Sequence, residues 1–134
     1  MQLMNALGAE MKKELPFSDE SGIIYRFGLW QLLGVPDFGP SIYAFCYNDG
    51  VAWQVLYIGK AKRLRARISG HEKLQVAREL GATHLAVYPM NALAEVGLDA
   101  LEERLIKRYQ PILNVRDNPS ANPIVRALLQ RRAK

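Results

Sequence analysis

Two tyrosines and a run of basic residues lie near the middle of this 134-residue chain, in a grouping suited to chemistry on a phosphodiester. Tyr43 ends the tripeptide Ser-Ile-Tyr, and Tyr57 begins the tripeptide Tyr-Ile-Gly, which ends at Gly59. A phenol can orient a water or exchange a proton, and cationic side chains can neutralise charge on phosphoryl oxygens. The cations follow at once, since residues 60 to 67 hold five basic side chains: Lys60, Lys62, Arg63, Arg65 and Arg67.

A β-hairpin is predicted to bring the tyrosines together. Residues 42 to 47 and 53 to 58 are rich in aromatic and β-branched side chains, and Asn48-Asp49-Gly50 is a turn signal. If the turn is centred on Gly50, position 43 pairs with position 57, and the two tyrosines become direct neighbours about 5 Å apart at Cβ. Two interpretations remain open at this point: an aromatic pair that only packs, or a pair that does chemistry.

The basic run is predicted to continue as a helix after Gly59. Helical spacing then places one stripe of basic residues together: Lys60, Arg63, Arg67 and His71. Such a stripe is typical of a solvated helix face or of a phosphate-binding surface. Its position directly after a strand that ends in a tyrosine motif favours the second interpretation.

Glu102 is the most informative residue of a third element, a helix predicted from Leu98 to Tyr109. At 100° per residue, Glu102 lies in the middle of the apolar face, among Leu98, Leu105, Ile106 and Tyr109. A carboxylate on a packing face is costly unless it is paired or binds a metal. The alternatives are a buried ion pair with an arginine and a single-carboxylate site for a hard divalent cation.

Taken together, these positions resemble the signature of the GIY-YIG nucleases. Residues 101 to 115 and Lys60 are similar to the nuclease subunit of bacterial nucleotide excision repair, and the resemblance spans residues 41 to about 117. The chain departs from the signature at Ser41, where the family has glycine. The matching positions are Tyr43, Tyr57, Gly59, Arg67, His71, Glu102 and Asn114.

The resemblance implies an α/β sandwich, in which a small three-stranded, mostly antiparallel sheet is flanked by helices. It also implies metal-dependent hydrolysis of a DNA phosphodiester to 5′-phosphate and 3′-hydroxyl products. In this hypothesis Glu102 holds one Mg²⁺ or Mn²⁺. Arg67, with Lys60 or His71, neutralises charge on the phosphoryl oxygens. Tyr43 is preferred over Tyr57 for orienting or deprotonating the attacking water, and Asn114 is expected to hydrogen-bond a tyrosine or a metal-bound water.

Charge is distributed unevenly along the chain and indicates the nucleic-acid side. Residues 1 to 59 hold three basic and six acidic side chains, a net charge of −3, whereas residues 60 to 134 hold fifteen basic and seven acidic ones, a net charge of +8. Basic clusters bind the DNA backbone without reading its sequence. The predicted DNA-binding residues are Lys60, Lys62, Arg63 and Arg65, together with Arg126 and Arg131 on a last helix that starts near Asn122.

Length and composition indicate one small structural domain. We expect a packed N-terminal extension at 1–40 that begins with a helix over residues 2 to 15, a nuclease-like core at 41–117 and a basic C-terminal helix at 118–134. The single cysteine, Cys46, is predicted to be a small core residue. No signal-peptide pattern or membrane-spanning stretch is found, which predicts a cytoplasmic protein.

Two other functional classes remain open. The chain could be a DNA-binding or complex-forming subunit with little cleavage of its own, directed by a targeting protein. It could also be a restriction-type nuclease acting with a second copy of itself through the first forty residues. The small size favours the subunit, whereas the complete set of signature residues favours a nuclease.

Overall fold

An antiparallel sheet is the frame of the molecule, whose computed structural model describes residues 13–90 and 95–114. The strands are β1 (Glu14–Ser18), β2 (Ile24–Gln31), β3 (Ser41–Asn48), β4 (Trp53–Ala61) and β5 (His84–Pro89). The helices are α1 (Leu64–Ser69), α2 (Leu74–Glu79) and α3 (Glu95–Tyr109). No helix in these ranges is long and apolar enough to cross a membrane.

The sheet has five strands in the order β1-β2-β5-β3-β4, so the prediction of three strands is wrong. The two additional strands come from the N-terminal region, where β1 and β2 pair across a turn at Gly22, whose φ is +90°. The apolar stretch around β2 has an ambiguous period in sequence, and its pairing with β5 makes it a strand. Glu14 and Leu15 lie in β1 and not in a helix, and the rest of the helix predicted over residues 2 to 15 falls outside the described residues.

Hydrophobic clusters cover both faces of the sheet. On one face, Tyr43 and Phe45 of β3 pack with Leu64 and Ile68 of α1. On the other, Ile42 and neighbouring strand residues pack against the buried side of α3. Cys46 lies fully buried in this second cluster, as predicted. Helices α1 and α3 therefore approach the sheet from opposite faces.

The β3–β4 hairpin forms as predicted, but its register differs. Tyr47 pairs with Gln54, and a further shift between Phe45 and Cys46 pairs Tyr43 with Gly59 and Phe45 with Tyr57. The predicted pairing of positions 43 and 57 is therefore wrong. Because a shift of two residues restores the same side of a strand, both tyrosines still point to one face. Their ring centroids lie 6.2 Å apart.

The basic run folds as a strand end followed by a short helix. Strand β4 continues through Lys60, and α1 begins only at Leu64. His71 lies beyond Gly70, in the connection to α2. The predicted single helical stripe joining Lys60 to His71 is therefore wrong. Helix α2 stops before Gly81, whose φ of +109° ends the helix, and β5 follows it.

Candidate nuclease site

The ring of Tyr43 lies directly over the backbone of Gly59. A Cβ atom at position 59 would sit 2.6 Å from both Cζ and Oη of Tyr43, and 2.8 Å from Cε2 of Tyr57. These separations are far shorter than any ordinary carbon contact, so only a residue without a side chain fits here. The glycine of the second tripeptide thus permits the close approach of the two tyrosines.

Tyr43 is completely buried, and its hydroxyl lies 2.7 Å from Nε2 of His71. The backbone N–H of Lys73 donates to Nδ1 of His71 at 3.0 Å, which leaves the proton of a neutral imidazole on Nε2. His71 therefore donates to the Tyr43 hydroxyl. Burial, with a further contribution from Arg67, lowers the pKa of His71 to about 4, so the ring is neutral at physiological pH.

Burial also raises the pKa of Tyr43 well above its ordinary value. A buried phenol that is hard to ionise is poorly placed to contact a water or to accept its proton. These observations argue against the preference for Tyr43 over Tyr57. Tyr57 is only partly buried, and its ring packs at 5.0 Å from His71.

Lys73 ties the connection that carries His71 to the segment that follows α3. Its Nζ atom donates to the carbonyl of Leu113 at 2.7 Å and lies 5.7 Å from the centroid of the Tyr57 ring. Sequence reasoning missed Lys73. Its partners are separated from it by long stretches of chain, and no local spacing marks it.

Arg67 projects from the last turn of α1 and is held by Glu72. Its Nη1 and Nη2 atoms each donate to one carboxylate oxygen of Glu72 at 3.1 Å. This pairing with Arg67 lowers the pKa of Glu72 to about 2. Glu72 was also missed from sequence, because the helix ends between the two residues and helical spacing does not apply.

Glu102 lies beside the buried residues of α3, and 21% of its side chain is exposed. The Nζ atom of Lys60 lies 3.7 Å from Oε1 of Glu102. Lys60 also forms an ion pair with Asp99, one helical turn before Glu102, and this pairing raises the pKa of Lys60. Neither alternative drawn for Glu102 included a lysine partner.

The donor set around Glu102 fits a hard divalent cation that keeps most of its waters. A partly exposed carboxylate with Asp99 one turn away offers oxygen ligands, and Mg²⁺ takes the rest from water and phosphate. Within the described ranges, no three His, Cys, Asp or Glu side chains group so as to hold a metal ion by themselves.

A cavity of about 810 Å³ lies at the end of β4, between α1 and α3. Arg63 and Arg67 line it from the α1 side, and Leu98 and Asp99 line it from α3, with Lys60 between them. The charges of Arg67 and Glu102 both act on the pKa of Tyr43, the first lowering it and the second raising it. Lys62, Arg63 and Arg65 are exposed beside this opening. Arg126 and Arg131 lie outside the described residues.

Asn114 bonds the backbone of β4 and not a tyrosine. Its Oδ1 accepts the N–H of Ile58 at 3.0 Å, and its Nδ2 donates to the carbonyl of Ile58 at 2.9 Å. The backbone N–H of Leu113 donates to the carbonyl of Leu56 at 2.9 Å. The expected hydrogen bond from Asn114 to a tyrosine is therefore wrong, and a bond to a metal-bound water stays a prediction. Asn114 fixes the strand between Tyr57 and Gly59.

Comparison with known proteins identifies the class to which this fold and site belong. The family model of the UvrC-like GIY-YIG domain matches residues 39–115, more than half of the chain, and the chain therefore belongs to this family. The resemblance seen in the sequence is confirmed.

Among curated proteins, the chain is 34% identical over 98 residues to UvrABC system protein C of Flavobacterium johnsoniae, covering 67% of this chain and 15% of that protein. It is also 34% identical over 82 residues to the same protein of Porphyromonas gingivalis, covering 57% of this chain and 13% of that protein. The chain thus spans about one seventh of the length of these relatives. Among solved structures, the chain is similar to the N-terminal GIY-YIG endonuclease domain of UvrC from Thermotoga maritima, which is bound to magnesium as its catalytic divalent cation. The two chains are 32% identical with a TM-score of 0.45, and the match covers 60% of this chain and 86% of that one.

Proposed function

We propose that this chain is a metal-dependent endonuclease that hydrolyses DNA phosphodiester bonds, with Glu102 as the protein ligand of one divalent cation. One observation carries the proposal. The fold gathers two phenols and a neutral imidazole at the bare backbone of Gly59, and it holds the Arg67 guanidinium and the Glu102 carboxylate near enough for their charges to act on the pKa of Tyr43. Membership of the UvrC-like GIY-YIG family supports the same chemistry.

In this proposal the two tyrosines have different roles. Tyr57, which is partly exposed, orients the attacking water toward the phosphorus atom. Tyr43, buried and bonded to His71, keeps the Tyr57 ring and the Gly59 backbone in place. His71 stays neutral, so it donates a hydrogen bond to the Tyr43 hydroxyl and brings no charge to the site. The proton of the water leaves to solvent.

The cationic residues and Glu102 act on the phosphate. Arg67 donates to the non-bridging oxygens and stabilises the negative charge that grows on them in the transition state. Lys60, beside Glu102, assists at the same oxygens. When bound at Glu102, Mg²⁺ or Mn²⁺ would polarise the phosphate and stabilise the leaving 3′ oxygen. The exposed Lys62, Arg63 and Arg65 hold the flanking DNA backbone, so binding should weaken steeply with salt.

A second candidate function is a DNA-binding or complex-forming subunit with little cleavage of its own. One observation favours it: Arg67 and Lys60 are both engaged in ion pairs. A targeting protein or a second copy of the chain would then supply substrate choice. The domain bounds, the cytoplasmic location and a dimer interface in the first forty residues remain predictions.

Cleavage of supercoiled plasmid and of short branched DNA tests the two candidates against each other. The wild type and Glu102→Gln are compared in Mg²⁺, Mn²⁺ and EDTA, with Glu103→Gln as a matched control on the exposed side of α3. We expect metal-dependent nicking that Glu102→Gln abolishes and Glu103→Gln retains, with DNA affinity similar in all three proteins. If the wild type binds DNA but cleaves no substrate, the second candidate function, a DNA-binding or complex-forming subunit, is supported instead.

A further inference from the structure

The side chain of Arg67 has two edges that can each bind a pair of oxygens, and only one of them is used. A guanidinium carries five N–H donors in a plane: two on each Nη and one on Nε. Glu72 takes one donor from each Nη atom. Nε–H and the second Nη2–H form the other edge, and no acceptor for Nε–H lies among the described residues.

We propose that Glu72 is a positioning residue that fixes the guanidinium plane of Arg67, so that its Nε edge receives a DNA phosphate while Glu72 stays bound. This inference rests on the proposed function of Arg67 as a phosphate ligand. It assigns a role to a residue that touches no substrate and acts only through Arg67.

The geometry around the pair supports positioning. Arginine has many rotamers, and one hydrogen bond would leave its plane free to turn, whereas a two-point contact fixes it. Glu72 follows His71, whose ring is itself held by Tyr43 and by the Lys73 backbone N–H. The carboxylate is therefore tethered to the same connection that holds the tyrosines, and Arg67 is oriented relative to them.

Stability does not explain the pair. Glu72 is 63% exposed and Arg67 is 34% exposed, and ion pairs at such sites add little to folding stability. Breaking the pair should therefore leave the melting temperature nearly unchanged. An effect on cleavage without an effect on folding would then come from the orientation of Arg67.

Nuclear magnetic resonance of the Arg67 side chain tests the positioning without any need for activity. In the wild type, a held guanidinium should show separate Nη–H signals, because rotation about its C–N bonds is slow. In Glu72→Gln the Nη–H signals should merge. The control is Glu20→Gln, which makes the same charge change in the turn at the opposite edge of the sheet and should leave the signals separate. Adding a short DNA duplex to wild type should shift the Nε–H signal and keep the Nη–H signals apart. Merging of the Nη–H signals on DNA binding would show that phosphate displaces Glu72, and would overturn the proposal.

A double-mutant cycle measured by cleavage kinetics provides the second test of the proposal. Glu72→Gln should lower kcat about tenfold with KM little changed, as expected when a reacting group loses its orientation. In an Arg67→Ala background the same change should have no further effect, because Glu72 acts only through Arg67. Equal losses in both backgrounds, or a gain in kcat, would overturn the proposal. If the wild type cleaves nothing, the proposed function fails, while the resonance experiment still decides the role of Glu72.

Discussion

The substitution Gly59→Ala should damage both the stability and the site of this protein. An added Cβ would lie 2.6 Å from Cζ and Oη of Tyr43, and an ordinary contact needs a separation of at least 3.4 Å. The Tyr43 ring therefore has to move away from residue 59 by at least the difference between these two distances. The ring cannot swing aside freely, because it is fully buried and packs against Phe45, Tyr57 and His71. A movement of this size would stretch the 2.7 Å hydrogen bond to His71 beyond its useful range.

Two costs add up in this variant. Overpacking a rigid core costs about 1–3 kcal/mol. Loss of a buried hydrogen bond costs about another 1–3 kcal/mol. We therefore expect the free energy of unfolding to fall by about 3 kcal/mol. In a domain of this size that corresponds to roughly 10 °C in Tm.

Urea denaturation measures this loss, with Gly39→Ala as the control. At Gly39 an added Cβ meets nothing within 4 Å, so both variants share the backbone effect of replacing glycine and differ only in the clash. Nuclease activity of Gly59→Ala should fall at least as far as that of a Tyr43 variant. If Gly59→Ala unfolds within about 0.5 kcal/mol of Gly39→Ala, the ring of Tyr43 is mobile and the reasoning about the site is wrong.

Two further predictions concern His71 and Asn114. Because the pKa of His71 falls from 6.5 to about 4 on folding, the unfolded chain binds the extra proton between these values, and stability must decrease as the pH falls through this window. From pH 6.5 to 5 the free energy of unfolding should fall by about 2 kcal/mol. This loss should be smaller in His71→Gln, where a small part should remain from His84, whose pKa is also lowered by burial. If the free energy of unfolding of His71→Gln depends on pH as steeply as that of the wild type, the assignment to His71 is wrong. Asn114→Ala should destabilise by about 2 kcal/mol, since it leaves a buried N–H and carbonyl of Ile58 without partners. Hydrogen exchange at the Ile58 amide should accelerate in this variant, and an unaffected amide would mean that water replaces the side chain.

Local sequence patterns predicted the elements of this fold better than their pairing. The turn at Gly50, the strands on either side and the end of α2 before Gly81 follow from residue type alone. The register does not, because the shift between Phe45 and Cys46 depends on how β3 packs between β4 and β5. The strand character of β2 likewise depends on its pairing with β5, which lies more than fifty residues away.

The candidate site shows the same division. Spacing alone placed both tyrosines on one face and Glu102 on the packed side of α3. It could not show that Tyr43 is completely buried and Tyr57 only partly, because this depends on the connection that brings His71 over the sheet. The partner of Asn114 lies 56 residues away, and the contact of Lys73 with Leu113 spans 40 residues. Such contacts leave no periodic trace in the sequence.

The hydrogen bonds made by residues 113 and 114 also protect an edge of the sheet. β4 lies at one edge of the sheet, and the unpaired side of an edge strand can pair with a strand from another molecule. Here the Leu56 carbonyl and both backbone groups of Ile58 are already occupied. A second molecule could add a strand at this edge only by first removing Asn114. The contact that holds β4 in place should therefore also discourage aggregation through the strand that bears Tyr57 and Gly59.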